Sequence, residues 1–120
     1  MRKQQYCWFP DKRDLLYSAV KLRLKLSTKV DLRKDCLQVE QQGSLGSRTA
    51  NALAGNIEYL DNLPDEYADV SRFFIYYNER KLEFTVDHDS GVSLRDSIKT
   101  LKKTGYCWEK SWPCKIDLFD

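Results

Sequence analysis

At 120 residues the chain has material for one modest core and not for two. Hydrophobic residues make up 42% and charged ones 32%, and three Trp, seven Tyr and five Phe exclude the aromatic-poor composition of disordered chains. Twenty basic against eighteen acidic side chains leave a formal charge of +2, too little to nominate nucleic acid or an anionic membrane as partner.

The first forty residues are irregular in pattern. Tyr6 to Tyr17 mixes aromatics and Pro10 with charges, without helical periodicity. Lys21, Arg23, Lys25, Lys29, Arg33 and Lys34 then form a basic run that alternates with leucines in KLRLKLS, the period-two pattern of an edge strand with one solvated face. No aromatic residues are interleaved for base stacking, so the run does not read as a phosphate-binding surface. Residues 1–29 are expected to form an extended N-terminal arm, and 30–120 the domain proper. MRKQQYCWFPDKRD lacks the apolar core of a signal peptide, and no stretch approaches the ~20 apolar residues of a membrane span. The expectation is a soluble, intracellular protein.

From Gly43 onward the pattern is helical. Ala50, Leu53, Ala54, Ile57 and Leu60 recur at the i, i+3, i+4, i+7 spacing of one helix face, which predicts a helix from about Ser47 to before Pro64. The block SRFFIYYNERKLE follows a candidate Ser71 cap. Its Phe73 to Tyr77 core suits strand or helix, and its length favours helix. Ser93-Leu94-Arg95-Asp96 has the spacing of a capping box, Leu94, Ile98 and Leu101 share a face, and Gly105 supplies a stop. The aromatic-rich stretch Tyr106 to Trp112, with Cys107 and Cys114, reads as core packing. Three helices with irregular connections make a mainly α domain. Four cysteines without a CxxC pair, beside one histidine, make a poor zinc set and no disulfide scaffold, so neither metal nor other cofactor is expected; a Cys36 to Cys107 bridge stays open.

Chemistry concentrates in Gln42-Gly43-Ser44-Leu45-Gly46-Ser47-Arg48. Two glycines and two serines leading into a helix can aim backbone N–H groups at an anion. A phosphate loop needs GxxxxGK[ST], and here the second glycine comes too soon and is followed by Ser47-Arg48.

This segment resembles the Gln-Gly-x-x-Gly-Ser-Cys motif that opens the central helix of papain-like cysteine proteases. VDLRKDCLQVEQQGSLGS is similar to the start of the mature domain in that family. SRFFIYYNERKLE and TVDHDSGVSLRDSIKTLKKTGYCWEKSWP resemble a branch found in microbes and large DNA viruses. The resemblance spans Val30 to Asp117 and implies an α+β family whose helical left-hand domain this chain carries. It also implies roles: Gln42 as an oxyanion-hole donor, and Ser90, Gly91 and Val92 as the segment that pairs with an extended peptide, Gly91 giving close approach and Val92 part of a pocket. Read without the resemblance, Asp89-Ser90-Gly91 is a turn before the third helix.

The departures point away from catalysis. Arg48 stands at the nucleophile position, and a guanidinium has no lone pair for attack on a carbonyl. The family's catalytic histidine and asparagine lie in a right-hand domain beyond residue 120, and His88, in an acidic turn, reads as a surface residue. Leu45 stands where secreted members carry a disulfide cysteine, which fits a reduced compartment, either cytoplasm or a larger assembly such as a virion. The expectation is an inactive, truncated homologue that binds another protein, a second copy of itself or a peptide through its exposed cleft face. The alternative is one half of a split peptidase completed by a second chain.

Overall fold

The computed structural model describes residues 27–61 and 69–115, together with Lys12. Two units divide between Val30 and Asp31, and everything that follows lies in the second. Most of the expected N-terminal arm, the alternating stretch Lys21 to Leu26 included, falls outside the described residues. Where the basic run is described it is not a strand. Asp31 accepts the Arg33 backbone N–H at 3.2 Å and also holds its guanidinium, and this local capture turns the chain into a 3-10 turn at Arg33–Asp35.

Three helices follow: α1 Arg48–Asp61, α2 Arg72–Glu83 and α3 Leu94–Thr104. The architecture is mainly α, with no strand beyond one antiparallel bridge, Val70 to Trp108, among the described residues. The FFIYY block is helical: Ser71 caps α2 by accepting the Phe74 N–H, and Phe84 ends it in the left-handed conformation. Ser93 caps α3 by accepting the Asp96 N–H. The box closes differently from the usual one, since the Asp96 carboxylate takes the Ser93 hydroxyl while Glu83 takes the Ser93 backbone N–H. Gly105, at φ +70°, donates its N–H to the Leu101 carbonyl and stops the helix.

The core is small. Ala50 and Ala54 on α1 leave room for Ile75 and Tyr76 on α2, with Val70 beside them; Leu53, Ile57, Val92, Leu101 and Trp108 close the rim. Leu60, placed on the α1 stripe by its spacing, is 75% exposed, one residue before α1 ends. The α3 stripe is corrected too: Leu94 and Ile98 lie outward, whereas Ser97 and Thr100 are buried. Burial there is governed by a carboxylic acid. Glu79 is fully buried among Thr49, whose hydroxyl reaches it at 3.3 Å, and Ser97. Small hydroxylated residues on α3 let that helix approach it, and burial raises the Glu79 pKa against the pull of the two hydroxyls.

A second buried polar link ties α1 to the start of α2. Glu58 accepts the Val70 N–H at 2.9 Å and lies 3.4 Å from Arg72, which also pairs with Asp69 at 2.7 Å. Residues 69–71 run against 107–109 through Ser71 N to Cys107 O and Glu109 N to Asp69 O. The aromatic stretch is core packing only at Trp108. Trp112 is partly exposed, Cys107 half-buried and Cys114 exposed. Cys36, Cys107 and Cys114 are free thiols, so no Cys36 to Cys107 bridge forms.

Candidate functional site

The loop that enters α1 is shaped by two buried side chains, Leu45 and Ser47, between residues that face outward. The Ser47 carbonyl accepts the Asn51 backbone N–H at 3.0 Å, and its hydroxyl receives the Asn51 amide at 3.1 Å, fixing the first turn of the helix. Arg48 is the first residue of α1 and is exposed. Gln42 is half-buried and donates its side-chain amide to the Leu45 carbonyl, closing the loop on itself. An amide has two N–H donors, so this bond leaves one of them for another acceptor.

The loop is pinned to the segment before α3. Gly46 donates its N–H to both carboxylate oxygens of Asp89, at 3.0 and 2.9 Å. A Cβ on Gly46 would fall 2.8 Å from Asp89 Oδ1, 3.1 Å from Gly91 N and 3.2 Å from Gly91 Cα, so only glycine permits this approach. Gly91 sits at φ +70° and donates its N–H to the Tyr76 hydroxyl at 3.3 Å. That hydroxyl in turn donates to Asp89. Burial, then the hydrogen bond to Asp89, pushes the Tyr76 pKa up to about 12.

The sequence-derived positions therefore come together in part. Gly46, two residues before Arg48, touches Gly91, which brings the Gln42 to Arg48 loop beside Ser90, Gly91 and Val92. Val92 is half-buried against the core, and the Ser90 hydroxyl is exposed, bonded to Thr85 Oγ1 and the Gly91 carbonyl. His88 stays apart as a surface residue: its Nδ1 lies 2.8 Å from Asp87, whose carboxyl it holds below the usual range. Burial raises the thiol pKa values of Cys107 and Cys114, with the Glu109 carboxylate acting in the same direction on both. Among the described residues no cluster of three or more His, Cys, Asp or Glu could hold a metal ion. None of their helices is long and apolar enough to cross a membrane.

Sequence reasoning missed Asp89 and Tyr76. Asp89 looked like a turn former, and Tyr76 was one aromatic of an ambiguous block. The available signal was the pairing of a helix-entry glycine with a second glycine in Asp-Ser-Gly, whose contact needs an acceptor between them.

No protein-family model matches the chain. It is 39% identical, over 86% of its length, to an uncharacterized peptidase C1-like protein of Acanthamoeba polyphaga mimivirus. Its fold matches xylellain, a cysteine protease from Xylella fastidiosa, with a TM-score of 0.59 and 51% identity over 64% of this chain. The chain spans 39% of the mimivirus protein and 30% of xylellain.

Proposed function

Because this chain is a relative of the papain-like cysteine peptidases, we propose that it is a catalytically inactive one, serving as a protein-binding or structural component through the groove between the 42–48 loop and residues 90–92. One observation carries the reading: the first residue of the helix entered by the QGSLGS loop is arginine. A thiolate there would gain from the positive end of the helix dipole. Arg48 instead places a permanent cation at that end, with no lone pair to form an acyl intermediate. Cys107 and Cys114 are poor substitutes, since burial raises both thiol pKa values and disfavours the nucleophilic thiolate.

Three features support a retained peptide-facing side. Gly91 has a positive φ, Val92 packs half-buried against the core, and Gln42 keeps its amide in the loop. Leu94 and Ile98, one helical turn apart on α3, add exposed apolar surface for a partner. Free Cys36, Cys107 and Cys114 fit work in a reduced compartment, either the cell interior or an assembled virion.

The test is a screen of extended octapeptides by two-dimensional NMR, with mass spectrometry of the recovered peptides. The reading expects saturable shifts at Gln42 to Arg48 and Ser90 to Val92, at dissociation constants between about 1 µM and 1 mM. The bound peptides should come back intact, and Arg48→Glu should reorder their ranking by charge. Cleavage of any peptide, or no binding in that range, would contradict it.

A further inference from the structure

Glu79 of α2 is fully buried where the three helices meet, beside Thr49 of α1 and Ser97 of α3. An ionised carboxylate only accepts hydrogen bonds and needs several donors when water is excluded. Here Oε2 receives the Thr49 hydroxyl at a long 3.3 Å, and Oε1 has no donor in hydrogen-bonding geometry. The Ser97 hydroxyl has a single proton, and that proton lies on the Ser93 carbonyl at 2.9 Å. Ser97 can serve an ionised Glu79 only by giving up that bond, whereas its oxygen is already free to accept a proton from the acid.

The surrounding charges do not favour the ion. Arg48 precedes Thr49 on α1, Arg80 and Glu83 share α2 with Glu79, and Arg95, Asp96 and Lys99 flank Ser97 on α3. Among these described residues only Glu83 acts on Glu79, and its carboxylate adds to the effect of burial in raising the Glu79 pKa.

We infer that Glu79 is a proton-dependent lock: as the acid it donates to Ser97 and seats α3 on α1 and α2, and on ionising it loosens α3 together with residues 89–92, which lead into that helix. Asp89 in this segment holds the Gly46 N–H, so the lock reaches the 42–48 loop. The inference stands whether or not the groove binds a peptide. A folded pKa above the ordinary 4.5 makes the contribution of Glu79 fully present below about pH 4.5. It is lost as pH rises through the folded value, so the seating of α3 is tightest in acid.

The experiment follows amide hydrogen exchange of the full chain by NMR from pH 5 to 8, corrected for the intrinsic pH dependence of exchange, together with the carbon-13 resonance of the Glu79 carboxyl. Protection of α3 and of residues 89–92 should fall by up to about tenfold per pH unit, the limit for one proton, while α1 changes less. The Glu79 carboxyl should titrate above the ordinary glutamate range. Glu79→Gln, which cannot ionise, should keep α3 protected across the whole range. Ser97→Ala, which removes the acceptor, should move the Glu79 titration down; this and the wild-type titration decide the matter even where the glutamine variant does not fold. Titration of Glu79 in the ordinary range, pH dependence that survives in Glu79→Gln, an upward move in Ser97→Ala, or equal loss of protection in all three helices overturns the proposal.

Discussion

Helices α1 and α3 begin in opposite ways. The start of α3 is held mainly by its own residues, with Glu83 taking the Ser93 N–H: Ser93 caps the Asp96 N–H, Asp96 supplies a negative charge in the first turn, and Lys102 and Lys103 supply positive ones in the last. The start of α1 has no acidic residue in its first turn and opens with Arg48, the wrong sign for the helix dipole. Its loop is held from elsewhere in the chain, by Asp89, Tyr76 and Gly91. The contrast teaches that the start of α3 is held mainly by contacts within its own first turn, whereas the α1 entrance relies on long-range ones.

The largest way to break that difference is Asp89→Ala. It strips the acceptor from the Gly46 N–H and from the Tyr76 hydroxyl, and should cost about 3 kcal/mol in urea unfolding, from two partly buried polar groups losing their partner. The 42–48 loop should show the greatest change in hydrogen exchange, with α3 little affected.

Alkaline pH tests the same anchor without mutation. Tyr76 holds its proton more tightly folded, with a pKa of about 12, than unfolded, at the ordinary value near 10. Below about pH 10 the contribution is fully present; above it the unfolded chain ionises first, so stability falls until about pH 12, by about 3 kcal/mol in all. Tyr76→Phe should flatten that limb, as read by chemical denaturation at stepped pH.

Ser93→Ala removes a local cap and should cost about 1 kcal/mol, with exchange rising in the first turn of α3. Smallest and opposite in sign is Arg48→Glu, which should stabilise α1 by about 0.5 kcal/mol through the dipole, read as a raised urea midpoint.

The same contrast marks what the sequence made legible. Ser71, Ser93 and Gly105 act within four residues of themselves, so their roles could be read from spacing. The Gly46 to Asp89 link joins positions 43 residues apart, and no local pattern announces it. Burial on α3 was misread for a related reason: the buried Glu79 bonds to Ser97 and brings that face inward, a preference invisible to an apolar stripe of Leu94, Ile98 and Leu101. The alternating leucines and basic residues that suggested a strand lie at 21–26, outside the described residues; just beyond them Asp31 captures Arg33 and the chain forms a 3-10 turn. Within the loop from Gln42 to Arg48 the links of Gln42 to Leu45 and of Ser47 to Asn51 span three or four residues, but Asp89, the acceptor that pins the loop, was not legible.

The most direct test of the central claim is exposure of the protein to a peptidyl electrophile that traps cysteine-peptidase nucleophiles, followed by intact-mass measurement. The account predicts no stoichiometric adduct on the wild-type chain and only slow, unselective labelling of exposed thiols such as Cys36. Rapid, one-to-one labelling blocked by a competing peptide would show a working nucleophile and contradict the assignment of Arg48 as the residue that ends catalysis.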